Sequence, residues 1–274
     1  PADVRNKNFE EVCLGYNKEE AMEEASRCIG CKADKAKCVK GCPVNINIPG
    51  FIKQLELGNI LAASEVIKQS STLPAVCGRV CPQEKQCEAQ CIHIKMGHEP
   101  VAIGYLERFV ADNAYALDAN VSKRSQQPNT TNAKRIAVVG SGPAGLAFAG
   151  DMAKLGYTVT VFEALHEIGG VLKYGIPEFR LPNRIVDKEI DGLRALGVTF
   201  QTDTIIGKTL SIQDLQDEGF LGIFVGSGAG LPRFMGIPGE NLNGVMSCNE
   251  YLTRVNLMNA ASEESDTPIM KAKN

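Results

Sequence analysis

Eight thiols fall into two tight groups. The first is Cys28-x2-Cys31-x6-Cys38-x3-Cys42, followed at once by Pro43, and the second is Cys77-x3-Cys81-x5-Cys87-x3-Cys91, with Pro82 after its second member. Nine of the ten cysteines in the 274 residues lie between Cys13 and Cys91, and Cys248 stands alone. Short spacings let one loop wrap several thiolates around a cube of iron and sulfide, and a proline after a cysteine turns the chain away from it. Zinc also takes four thiolates, but its sites usually pair two Cys-x2-Cys knuckles. Here one such pair accompanies three Cys-x3-Cys steps, a pattern that favours iron–sulfur chemistry. Cys13 and Cys248 read as ordinary packed or exposed thiols.

A second constellation is built from glycine. Gly140-Ser141-Gly142-Pro143-Ala144-Gly145 follows the apolar run Arg135–Val139 and opens a helix expected to reach Lys154. In a strand–turn–helix setting, such glycines let backbone amides approach a pyrophosphate at the helix N-terminus. The next strand, Thr158–Phe162, ends in Glu163, where a carboxylate can hold ribose hydroxyls and disfavours a 2′-phosphate. The pattern suits FAD or NAD better than NADP. No nucleophile or proton-transfer constellation is evident, so no catalytic side chain is assigned. His93, His98 and His166 form no spaced cluster and read as surface residues.

Helical patterns surround the cysteines. Lys18–Ala25 carries acids in its early turns, where they oppose the helix dipole; Ile48–Leu55 has proline near its start; Val101–Leu117 is the third. Residues 120–133 are polar and read as a linker. Glycine-bounded strands and helices then alternate, as in an α/β domain. The expected fold class is therefore α plus α/β: a helical domain over 1–119, the linker 120–133 and a Rossmann-type domain over 134–274. A formal charge of −3 argues against a nucleic-acid binder. There is no apolar run long enough to span a bilayer, and Pro1–Lys7 lacks a secretory core, so a cytoplasmic, reducing setting is expected.

The motifs Cys28-Ile29-Gly30-Cys31, Cys38-Val39-Lys40-Gly41-Cys42-Pro43, Cys77-Gly78-Arg79-Val80-Cys81-Pro82 and Leu106-Glu107-Arg108-Phe109-Val110-Ala111-Asp112 together resemble the small subunit of NADPH-dependent glutamate synthase. They are similar as well to the large subunit of NADH-dependent ferredoxin:NADP oxidoreductase and the N-terminal part of dihydropyrimidine dehydrogenase. The resemblance implies two [4Fe–4S] clusters with interleaved ligands. One would take Cys28, Cys31, Cys38 and Cys91; the other would take Cys42, Cys81 and Cys87 with Glu107 from the following helix. Cys77 is the rival for that last place, and a helix-surface Glu107 paired with its neighbours is the plainer reading. The x6 gap between Cys31 and Cys38 exceeds the family's usual x4 and is expected to bulge a loop.

For the Rossmann-type portion the resemblance implies FAD. Its contacts would come from Gly140, Ser141, Gly142, Pro143, Ala144, Glu163, Gly170, Val171, Leu172, Arg180, Ile206 and Gly228. The implied activity is that of an oxidoreductase in which hydride from NAD(P)H reaches FAD and electrons pass through the clusters to a partner subunit. That partner would be a glutamate synthase large subunit or a ferredoxin-type oxidoreductase subunit. Thr267-Pro268-Ile269 resembles the hinge before the NAD(P)H domain, so the stretch read here is expected to be an N-terminal portion without NADPH turnover of its own. A non-catalytic, cluster-stabilised assembly module is the alternative. Anaerobically prepared protein is expected to contain about eight iron and about eight acid-labile sulfide per chain. Stoichiometric zinc without sulfide would overturn the cluster reading.

Overall fold

The computed structural model describes residues 1–32, 34–117, 134–260, 262 and 264–269. The linker expected over 120–133 lies outside the described residues. Two compact units emerge, Val12–Ser125 and a second formed by Pro1–Glu11 with Gln126–Asn274.

Helix α1 (Ala2–Arg5), a single turn, belongs to the second unit. The helical unit then runs α2 (Lys18–Ser26), α3 (Lys37–Gly41), α4 (Ile48–Glu56), α5 (Ile60–Lys68), α6 (Pro74–Val80), α7 (Ile92–Lys95) and α8 (Ile103–Leu117). The Asn17 side chain accepts the Glu20 N–H while the Asn17 N–H donates to the Glu20 carboxylate, a capping box that starts α2. Asn47 likewise accepts the Gly50 N–H at the head of α4. Phe51, Ile52 and Leu55 of α4 are buried against Leu106 and Val110 of α8, with Ala63 and Ile67 of α5 completing the core.

The third helix begins at Ile103, two residues later than its apolar pattern suggested. Its start is fixed from outside, because the Ala102 N–H donates to Glu24 Oε1 at 2.7 Å and the Gly104 N–H to Glu88 Oε1 at 3.0 Å. Two carboxylates remote in sequence thus satisfy donors that a local cap would otherwise take. The far side of α8 is pinned by Asp112, which accepts two bonds from Arg79 of α6 at 2.8 and 2.7 Å.

The second unit is a four-stranded parallel sheet of order β3-β2-β1-β4. Its strands are β1 (Arg135–Val139), β2 (Thr158–Phe162), β3 (Thr199–Gln201) and β4 (Phe220–Val225). The intervening helices are α9 (Pro143–Lys154), α10 (Val171–Tyr174), α11 (Asn183–Ala195) and α12 (Ile212–Asp217), with α13 (Cys248–Leu257) after the sheet. Arg135–Val139 pairs with Thr158–Phe162 on one side and with β4 on the other. The chain leaves β1 toward β2 and returns beside β1 as β4, so a crevice opens at the carboxyl ends of these strands.

Removing the Glu24 carboxylate takes away the acceptor of the Ala102 N–H and one of the acceptors of the Arg27 guanidinium. Glu24→Ala is expected to lower stability of the helical unit by about 1–2 kcal/mol, and Glu24→Gln by less, in urea unfolding followed by circular dichroism.

Candidate functional site

Cys28 follows α2, Cys31 lies in the next loop, Cys38 is within α3, and Cys91 is the N-cap of α7. All four border one cavity of about 100 Å³, together with Ile48 and Ile52 of α4. Burial pushes the Cys38 thiol up to about 11, and the sulfurs of Cys28, Cys91 and Cys31 add to the effect. Cys28 is raised too, again by burial first. The two cysteine groups meet because α3 closes onto the second group. A Cβ on Gly41 would lie 2.7 Å from the Gln86 carbonyl oxygen, an approach that only glycine permits.

The remaining four thiols belong to α3, α6 and the loop after α6. Cys42 is the C-cap of α3, Cys77 lies in α6, Cys81 is the C-cap of α6, and Cys87 is buried. Glu107 is 6% exposed, so the reading of it as a solvated helix residue gives way. Its neighbour Arg108 is directed to the Cys13 carbonyl, at 2.6 Å, and to Asp112, at 3.5 Å. Burial pushes the Cys87 thiol up to about 12, with Glu88, Glu107 and Cys42 adding to it. The Cys77 thiol hydrogen-bonds Cys81, which raises Cys77 and lowers Cys81 to about 7; burial and Glu107 raise Cys77 further. The carboxylate thus acts electrostatically on both Cys77 and Cys87. Glu107 Oε1 is buried and accepts no hydrogen bond from the described residues. No three His, Cys, Asp or Glu side chains among the described residues are arranged to hold a single metal ion.

Of the histidines, His98 and His166 are exposed, as expected. His93 is not a plain surface residue. It is half-buried, borders the Cys28 cavity, and its Nε2 lies 2.9 Å from the Arg27 carbonyl oxygen at the end of α2. Cys13 and Cys248 are exposed, the former bonded to the Tyr105 hydroxyl at 3.3 Å.

In the second unit a cavity of about 570 Å³ opens at the sheet crevice. Gly140, Gly142, Pro143, Ala144, Glu163, Gly170, Val171, Ile206 and Gly228 all line it. Three expected residues do not. Ser141 and Leu172 are buried behind the lining, and Arg180 is exposed. The tight turn is enforced at Gly145, where a Cβ would lie 1.9 Å from the Gly140 carbonyl oxygen.

Glu163 is already engaged with the turn. Its Oε2 accepts the Ser141 N–H at 2.8 Å and the Ser141 hydroxyl at 2.5 Å, while Oε1 accepts the Leu165 N–H at 3.0 Å. The Ser141 Oγ in turn accepts the Gly169 N–H at 2.9 Å, so one buried serine joins the glycine-rich turn, the acid and the Gly169-Gly170 pair. Sequence reasoning named these residues but not the connection. It missed Thr204 and Asn249, which also line the cavity. Thr204 is held there by its N–H bond to the Glu163 carbonyl, and neither residue sits in a motif that would mark it.

Comparison with known proteins follows the same division. Residues 5–119 match the family described as dihydropyrimidine dehydrogenase domain II, 4Fe-4S cluster, and residues 138–195 match the NAD(P)-binding Rossmann-like domain. The glutamate synthase [NADPH] small chain of Halomonas elongata is 35% identical over 252 residues, covering 92% of this chain and 52% of its own. The NAD-dependent dihydropyrimidine dehydrogenase subunit PreT of Escherichia coli O157:H7 is 37% identical over 217 residues, covering 78% of this chain and 51% of PreT. The chain thus carries a match to a 4Fe-4S cluster family and a match to an NAD(P)-binding Rossmann-like family, and over most of its length it is similar to these small chains and subunits. It spans about half the length of these relatives. Among solved structures, the Mycobacterium tuberculosis oxidoreductase FprA aligns with 45% of this chain and 29% of its own at 21% identity and a TM-score of 0.41. No helix among the described residues is long and apolar enough to cross a membrane.

Ser141→Ala would strand the Gly169 N–H in a buried setting and remove one donor from Glu163. The expected cost is about 1–3 kcal/mol, read as a lower urea midpoint for the Rossmann-type unit.

Proposed function

We propose that this chain is the electron-transfer portion of an NAD(P)H-dependent oxidoreductase, with two [4Fe–4S] clusters in the helical unit and FAD in the parallel-sheet unit. The observation that carries the proposal is the meeting of Cys28, Cys31 and Cys38 with Cys91 at one cavity. Thiols from both sequence groups line it, which supports interleaved ligands over two separate four-cysteine loops.

Cys42, Cys81 and Cys87 would hold the second cluster. Glu107 is the fourth ligand we favour, because it is buried and acts electrostatically on both Cys87 and Cys77. A carboxylate is a harder donor than a thiolate and would set this cluster's potential apart from the other's. In the second unit, the amides at the start of α9 would receive the pyrophosphate of FAD, and Glu163, oriented by Ser141, would receive ribose hydroxyls. When bound, the flavin exchanges a hydride with NAD(P)H and single electrons with iron–sulfur centres. Gly170 and Val171 border the cavity from the α10 side, and Ile206 and Gly228 from the strand ends.

We take the domains as 1–119, the linker 120–133 and 134–274, and the setting as cytoplasmic. The partner subunit would be of the glutamate synthase large-chain type, as the small-chain relatives suggest. Flavin bands together with dithionite-bleachable iron–sulfur absorption in purified protein test the proposal; protein that never acquires either contradicts it.

Glu107→Ala is expected to lower the occupancy of one cluster and change its paramagnetic signal, leaving the other intact, while Cys77→Ser is nearly silent. Iron analysis and electron paramagnetic resonance of the two variants would read this. Loss of a cluster in Cys77→Ser with unchanged spectra in Glu107→Ala would transfer the ligand role to Cys77.

A further inference from the structure

The longer gap between Cys31 and Cys38 is filled with lysine. Lys32, Lys35, Lys37 and Lys40 crowd into nine residues with one acid, Asp34, and all five are exposed. Lys35 and Lys37 border the same cavity as Cys28, Cys31, Cys38 and Cys91. Lys95, at the end of α7, lies close enough to Lys37 for the two charges to repel. None of these lysines forms an ion pair with an acid among the described residues. A chain with a formal charge of −3 thus concentrates positive charge near one thiol-lined cavity, with Lys35 and Lys37 at its border.

We propose that this lysine rim is the docking surface for an acidic electron-carrier protein, whose negative face seats over the Cys28–Cys91 cavity. The proposal rests on the reading of that cavity as a cluster site, which supplies the reason for a redox partner to approach there. Opposite charge around such a site raises encounter rates and fixes orientation, and it weakens steeply as salt screens it. Nucleic acid is the less favoured occupant, because the 32–40 stretch has no aromatic side chain on which a base could stack.

The test measures complex formation directly, so it does not depend on turnover. The whole chain is titrated with a plant-type [2Fe–2S] ferredoxin, as an acidic carrier, by calorimetry at low and at raised ionic strength. Iron and sulfide are assayed separately on the same preparation. Saturable binding at about 20 mM salt is expected, weakened about tenfold or more by about 300 mM. The double variant Lys35→Glu/Lys95→Glu is expected to weaken low-salt binding about tenfold, and Lys35→Arg/Lys95→Arg to preserve it. Lys188→Glu, on α11 of the other unit, should bind as the parent does. Absence of saturable binding, equal binding by the charge-reversed variant, equal loss in Lys188→Glu, or tighter binding of a single-stranded oligonucleotide would each overturn the docking surface. Binding that follows the expected pattern in protein devoid of iron would instead leave the surface standing and remove the cluster reading.

Discussion

The helical unit depends on one close contact, that of α3 with the backbone at Gln86. Gly41 makes it possible, since any side chain there would meet the Gln86 carbonyl. The contact accompanies the sharing of one cavity by Cys38 and Cys91, and Cys42 lies near enough to Cys87 to act on it electrostatically. Burial then keeps several thiols protonated, with Cys38 near 11 and Cys87 near 12. Metal binding would have to displace those protons, and so would couple cluster assembly to the folding of these loops. The rest of the unit serves to hold the two loops in place. α8 does so through Glu24 and Glu88 at its start and the Arg79–Asp112 pair farther along.

The parallel-sheet unit answers a different constraint. Its crevice exists because the strand order changes direction at β1, and its chemistry is localised by Glu163. That carboxylate is held by three donors, two of them from Ser141. The acid that would meet a ribose is therefore also the post around which the glycine-rich turn is folded.

Local signals in the sequence were strong where the residues themselves dictate conformation. Strands Arg135–Val139 and Thr158–Phe162 and the helix ending at Lys154 lie where their apolar runs and glycines put them. The start of α8 was not legible, because its caps come from Glu24 and Glu88, which periodicity cannot connect to it. Nor was the burial of Glu107, which depends on the packing of α6 against α8 rather than on any motif. His93 was misjudged for a similar reason, since its partner is the carbonyl of Arg27. Arg180 illustrates the converse, a residue supplied by resemblance that the structure leaves exposed, outside the cavity lining.

The central claim is that ligands of the two clusters interleave, so Cys91 shares a cluster with Cys28 rather than with Cys87. Electron paramagnetic resonance of the dithionite-reduced variants Cys28→Ser, Cys91→Ser and Cys87→Ser decides it. The account predicts that Cys28→Ser and Cys91→Ser perturb the same signal and that Cys87→Ser perturbs the other. If Cys91→Ser and Cys87→Ser instead perturb one signal while Cys28→Ser perturbs the second, each sequence group holds its own cluster and the account is contradicted.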